Sequence, residues 1–279
     1  MEENNNVNLE LEPLVFTRYL YSKEEVERSL FLALLEHKWK EALFWGYELY
    51  YSGYQIYIMN FVMNIYNEIY ATKNNAQFER FITGAFEEWS QDQSKDYLLG
   101  TMIWNMALRE YCIQNFLEKY CEHKTIINPD YVVETPKKNI KIVLCQEDVI
   151  DYTTIHDVPP YRILQRACKY AIHKEFQEFF ITATPEYTEE YYNDWLYYSY
   201  SCPLWKERID AYDGIIVHMT KTVYIPKDKQ DEFYENYDYQ PDEQPKEVQE
   251  KSIGNGNINQ LSIHDFISRY GKHLVSVIT

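Results

Sequence analysis

Residues 22–57, SKEEVERSLFLALLEHKWKEALFWGYELYYSGYQIY, decide how this chain folds. Ser22-Lys23-Glu24-Glu25 has the form of a capping box, in which a serine hydroxyl and a carboxylate three residues later satisfy orphan backbone N–H groups at a helix start. Val26, Leu30, Ala33 and Leu34 then recur at helical spacing, so one face stays apolar to about His37. Leu43, Tyr47, Tyr50, Tyr54 and Tyr57 repeat the design, and Gly53 marks a helix end or a close crossing. Two amphipathic helices joined by so short a link predict an α-hairpin.

The pattern continues outward. A helix is expected over about 55–70, where Ile58, Val62, Ile65 and Ile69 share a face, and another over about 75–88. A longer one is expected over 94–119, with Leu98, Met102, Met106, Arg109 and Ile113 on a drifting stripe. The predicted class is mainly α: stacked, solenoid-like α-hairpins of the HEAT, TPR or MIF4G kind, a smaller helical C-terminal part and two short strands. No fixed repeat period is visible, so the expectation concerns architecture alone.

Composition changes divide the chain. Residues 1–21, with the Asn4-Asn5-Asn6 run and Pro13, are expected to be a flexible lead-in, and 22–125 the helical-hairpin domain. Residues 126–158 read as a connector interrupted by Pro129, Pro136 and the Lys137-Lys138-Asn139 turn, with Ile140, Ile142 and Leu144 alternating as a strand would. The C-terminal part, 159–279, is expected to be mainly helical and to share a core with 22–125. Pro159-Pro160 opens a helix over about 161–180, Thr188-Glu189-Glu190 one that ends before Pro203, and Pro203 a third closed by Gly214. Residues 215–225 are rich in β-branched residues and predict a strand paired with 140–144, and Ser262 caps a last helix ending at Gly271.

Charge narrows the partners. Across 279 residues, 27 Lys and Arg face 44 Asp and Glu, and 27 − 44 = −17. Such a surface repels polyanions and anionic headgroups, so direct nucleic-acid and membrane binding are not expected. The longest apolar run, SLFLALL at 29–35, is far below the ~20 residues of a bilayer span. Five cysteines form no CxxC pair and follow a polar, acidic start, which reads as reduced cytosolic thiols. The 28 Tyr beside 8 Gly fit the codon bias of an AT-rich genome without any functional cause.

No motif carries chemistry. Cys112, Cys121, Glu122 and His123 lack the paired short spacings of a zinc site, and the remaining histidines are scattered singly. Eight glycines supply neither a P-loop nor a GxGxxG after a strand. Asp130, Glu134 and Lys137, and likewise Asp242, Glu243 and Lys246, miss the ExK spacing that would place Glu and Lys on one side of a metal-nuclease strand. No catalytic, cofactor or metal residues are assigned, and the chain is expected not to be an enzyme. The aromatic run from Phe44 to Tyr57 is spaced as core, with Trp45 and Tyr51 off its stripe. Between 228 and 250, nine acids face two bases, either as a solvated helical face or as a docking surface for a basic protein. The interface candidates are therefore Trp39, Trp45, Tyr51 and Trp205 as anchors, with Glu232, Glu235, Asp238, Asp242 and Glu243 steering a basic partner.

Three stretches, EALFWGYELYYSGY (41–54), SCPLWKERIDAYDG (201–214) and EFYENYDYQPDEQPKEVQEK (232–251), resemble segments of an uncharacterised protein family encoded by giant viruses, the nucleocytoplasmic large DNA viruses. They cover about a fifth of the chain and carry no catalytic motif. The resemblance implies a viral protein in the host cytoplasm, the viral factory or the virion, and transfers no activity or site residue. The expected function is a protein-binding helical scaffold. The alternatives are a virion structural protein of the minor capsid or core, and an enzyme with a noncontiguous active site.

Overall fold

The computed structural model describes residues 13–128, 140–176, 186–255, 260–271 and 273–276. In chain order the elements are α1 Lys23–Leu35, α2 Trp39–Tyr50, α3 Gln55–Ile65, α4 Ala76–Gln91, α5 Tyr97–Ala107, α6 Gln114–Tyr120, β1 Thr125–Ile127, α7 Gln146–Val149, α8 Pro160–Ala167, α9 Thr188–Asn193 and α10 Trp195–Ser199. They continue with α11 Pro203–Ala211, β2 Ile215–Val217, β3 Thr222–Tyr224, α12 Lys227–Tyr237, α13 Lys246–Ile253, α14 Ile263–Tyr270 and β4 Leu274–Ser276. The class is mainly α with two short antiparallel sheets, β1–β4 and β2–β3. The N-terminal helices gather around α5, which packs against α1, α2, α3 and α4. One core runs from Phe16 to Leu274.

Local chemistry explains several boundaries. The α1–α2 link turns at His37, whose φ of 58° is left-handed, while the Lys38 N–H returns to the Ala33 carbonyl at 2.9 Å. Asn75 starts α4 by accepting from the Gln77 and Phe78 N–H groups. Ser262 and Asp265 close a true capping box on α14. The box read at Ser22 does not form: α1 begins at Lys23, but the Ser22 side chain makes no cap bond. Glu25 turns inward instead, accepting from the Tyr187 hydroxyl and meeting the Lys174 ammonium at 3.4 Å. A buried tertiary contact has taken the carboxylate from the cap.

Residues 13–21 are not a loose lead-in, whereas 1–12 lie outside the described residues. From Phe16 to Tyr21 the chain is buried and closes a tight loop, with Thr17 N–H to Tyr21 O at 2.8 Å and Leu20 at φ 60°. Arg18 enters the core, where its Nε lies 3.0 Å from Glu48 Oε2 on α2. Glu48 Oε1 accepts from the Thr17 hydroxyl at 2.7 Å and the Tyr19 N–H at 3.1 Å. Trp205 on α11 donates to the Thr17 carbonyl at 3.2 Å. Trp45 and Trp205 are both fully buried, which removes them as interface anchors: the first meets Tyr21 and Phe44 edge-on, the second Trp195 and Tyr239.

Other expectations shift for tertiary reasons. The helix expected over 94–119 breaks after Ala107 and resumes at Gln114. Between them the Cys112 N–H donates to Ile69 O at 2.7 Å and the Tyr111 hydroxyl to Leu35 O at 2.9 Å, which draws the backbone off the helical path. The helix from Pro160 stops at Ala167, beyond which the Ile172 N–H bonds to Lys251 O and the Tyr170 carbonyl accepts from Tyr21. Its expected end at 180 lies outside the described residues. The helix expected before Pro203 is two short ones, α9 and α10. Residues 215–225 do not pair with 140–144: they fold on themselves as the β2–β3 hairpin. Residues 140–144 lie along α5, held by side chains. Leu144 N–H donates to Thr101 Oγ1, Ile142 N–H to Asn105 Oδ1, Asn105 Nδ2 to Ile142 O, and Arg109 Nη2 to Ile140 O.

Gly53 earns its place at the end of α2. Its φ is +96°, and an added Cβ would stand 2.5 Å from Pro203 Cβ at the start of α11. Gly53→Ala is expected to cost at least about 1–2 kcal/mol, the left-handed penalty alone, with the Pro203 clash added. Urea unfolding compared with the parent chain measures it.

Candidate functional site

The sequence candidates do not converge on one surface. Trp39, at the start of α2, is half-buried and stacks on Trp104 of α5 at 3.7 Å and 6°, with the Lys40 ammonium 5.3 Å from its ring. Tyr51 lies just past the other end of the same helix, about 18 Å away by helical rise. Its hydroxyl donates to the Asp96 carboxylate and Arg18 sits 5.1 Å over its ring, so it is tied into the fold. Glu232 and Glu235 are exposed on α12, Asp242 and Glu243 are exposed on the turn Pro241–Glu243, and Asp238 is half-buried between them. These acids form the solvent face of a segment whose Phe233 and Tyr239 enter the core.

A groove assembles elsewhere, between α1, α3 and α6, and encloses about 390 Å³. Phe31, Ile65 and Ile69 are buried and form its floor. Tyr57 and Phe61 rise from α3, their rings stacked at 6.1 Å and 10°. Phe116 and Tyr120 rise from α6, with Phe116 also 5.0 Å from Phe31. Tyr57 and Tyr120 remain 38% and 43% exposed beside an apolar floor. The rim is charged. Glu24 holds Arg28 at 3.0 Å, Glu27 holds Lys23 at 2.6 Å, and Glu68 holds Lys119 at 2.5 Å. Lys23 also lies 4.1 Å over the Tyr57 ring, and its contact with Glu68 raises the Lys119 pKa above the ordinary lysine value.

None of the nine sequence candidates lines this groove. Its signal was nevertheless present, because α3 is apolar on two faces. Ile58, Met59 and Val62 pack inward, and Tyr57 and Phe61 form a second face four residues apart. The helical spacing from Leu43 places Tyr57 at the end of the core stripe, but the break at Gly53 reorients everything after it.

Other titratable groups cluster outside the groove. His173 sits between Glu41, 2.7 Å from Nε2, and Glu175, 3.0 Å from Nδ1. Burial favours the neutral ring, yet contacts with Glu175 and Glu41 outweigh it and hold the His173 pKa up at about 9. Lys38 flanks Glu41 and Arg269 flanks Glu175. The second cluster is the Glu25–Lys174–Tyr187 contact, where burial raises the carboxyl pKa. In the third, Cys112 Sγ lies 3.2 Å from His273 Nε2; both residues are buried, and desolvation lowers the imidazole pKa. Burial pushes the Cys121 thiol up to about 12, while His123 meets Ser276 Oγ at 3.1 Å. Among the described residues no three His, Cys, Asp or Glu side chains are grouped to hold a metal ion, and all five cysteines are free. Among the same residues no helix is long and apolar enough to cross a membrane. Of the nuclease-like acids, Asp130 and Glu134 lie outside the described residues.

No protein-family model matches the sequence, and neither the curated proteins nor the solved structures show a significant similarity to it.

The His173 geometry fixes a pH response. Its folded pKa of about 9 exceeds the ordinary 6.5, so its contribution is complete below about pH 6.5 and disappears as pH rises towards 9. Stability is expected to fall by at most about 3 kcal/mol across that window. Urea midpoints at pH 6 and pH 9 should differ in the parent chain, and His173→Phe should flatten the difference.

Proposed function

We propose that the chain is a protein-binding module whose α1–α3–α6 groove receives the apolar face of an amphipathic helix from a partner protein. The observation that carries this reading is the groove itself: four aromatic rings, from Tyr57, Phe61, Phe116 and Tyr120, around a floor of Phe31, Ile65 and Ile69. Helix-in-groove recognition uses apolar anchors at i, i+3, i+4 and i+7, and a volume of about 390 Å³ accommodates two or three such side chains. The rim carboxylates already hold Arg28, Lys23 and Lys119, so a preference for a basic partner comes from the field of the whole chain, at −17. That field raises the association rate of a basic segment, and the aromatic contacts retain it. The resemblance of residues 41–54, 201–214 and 232–251 to a giant-virus family supplies a setting for this reading, the cytoplasm or viral factory of an infected cell.

Displayed amphipathic helices selected against the full chain test the proposal. The selected sequences are expected to carry apolar residues at helical spacing with Lys or Arg alongside. Their affinity should fall about 30-fold on Phe61→Asp, the loss of about 2 kcal/mol typical of an aromatic anchor, while thermal unfolding is unchanged. Binders that ignore Phe61→Asp, or that show no helical spacing, would overturn it.

A further inference from the structure

We infer that the outer edge of residues 140–144 is a second docking surface, which receives an extended, apolar, basic-flanked segment of a partner protein by β-strand addition. Thr101 and Asn105 stand four residues apart on α5 and Arg109 lies two residues past its end; they bond to Leu144, Ile142 and Ile140, which stand two apart. Four helical residues rise roughly 6 Å and two strand residues roughly 6.6 Å, so the two periods match. Side chains thereby imitate a neighbouring strand: Thr101 and Asn105 of α5 satisfy the N–H of Leu144 and the N–H and C=O of Ile142, and Arg109 just beyond the helix satisfies the C=O of Ile140. Asn105 is itself fully buried and also bonded to Thr101 O at 2.7 Å, which makes the row rigid.

In an extended chain alternate residues direct their backbone groups to opposite sides. The groups of Lys141 and Val143 therefore face away from α5, and among the described residues they meet no hydrogen-bond partner. Val143 is 69% exposed and Ile140 57%, with exposed Lys141 between them and its ammonium 4.8 Å over the Phe81 ring, so the edge is unpaired and apolar at its two ends. Natural folds cover or charge such edges, because they template pairing with another chain. The backbone pattern admits only an extended occupant. A second copy is disfavoured, since each brings a charge of −17. Exposed Glu147 and Asp148 lie three and four residues past the edge, where Asp148 also accepts from the Cys145 N–H at 2.9 Å, and their negative charge suits a partner strand with an apolar residue against Val143 and Lys or Arg beyond it. This surface shares no residue with the α1–α3–α6 groove.

The test uses the full chain and displayed random decapeptides, with selected peptides then synthesised. Val143→Pro removes the outward N–H while leaving the inward bonds of Ile142 and Leu144, and proline is compatible with an extended position. Selected peptides are expected to bind at least tenfold more weakly to Val143→Pro and unchanged to Phe61→Asp. On the parent protein, N-methylation of one alternate set of peptide amides should abolish binding and methylation of the other set should not. That scan holds the proposal to account even where Val143→Pro fails to fold. Equal binding to Val143→Pro, or tolerance of N-methylation in both sets, would overturn it. Sedimentation showing a parent dimer that Val143→Pro dissociates would assign the edge to a second copy and overturn the choice of partner.

Discussion

The ion pair between Arg18 and Glu48, sealed inside the protein, is the contact on which the rest of the structure depends. Two charges so far from water are tolerated only when their remaining lone pairs and protons are met, and here they are. Glu48 accepts from Thr17, Arg18 and Tyr19, while Arg18 also reaches the Tyr152 carbonyl at 2.8 Å. Ser52, one turn after Glu48, accepts from the Arg18 N–H at 2.9 Å. The loop carrying Arg18 bonds onward to Tyr198 O through Phe16, to Tyr170 O through Tyr21, and from Trp205 through the Thr17 carbonyl. A segment of about six residues thus joins α2 to α10, α11 and the chain beyond α8.

That arrangement gives the three stretches 41–54, 201–214 and 232–251 a physical meaning. Residues 41–54 meet 201–214 where Gly53 abuts Pro203 and the Leu204 N–H donates to Ser52 O at 3.2 Å. Residues 201–214 meet 232–251 where Arg208 donates to the Tyr239 hydroxyl at 3.0 Å and Trp205 lies 5.2 Å from the Tyr239 ring. Distinctive wording in the sequence corresponds here to mutual packing. The binding surfaces proposed for the protein fall outside it, on α1, α3 and α6 and along α5.

What could be read in advance was what is decided locally. Ser262 caps its helix because its partner lies three residues on, and the α1–α2 hairpin follows from spacing and a short link. What could not be read depended on distant partners. Glu25 left its cap for Lys174 and Tyr187, and residues 13–21, short and without a helical period, gave no sign that Arg18 and Thr17 would meet Glu48. Residues 140–144 alternated as a strand does, but their partners were helix side chains, which no strand pattern announces. The groove was half legible, in the second apolar face of α3. Trp45 and Trp205 show the opposite error, since the residue types that anchor interfaces also fill cores.

Equilibrium urea unfolding of Glu48→Ala, followed together by tryptophan fluorescence and far-ultraviolet circular dichroism, tests the central claim most directly. Leaving Arg18 buried and unpaired should cost about 3–5 kcal/mol, and replacing both partners by apolar residues should recover much of it. Both signals should fall in one coincident transition, because the loop ties the two halves into one core. A Glu48→Ala chain within about 1 kcal/mol of the parent, or one whose two signals separate while the parent's coincide, would contradict the account.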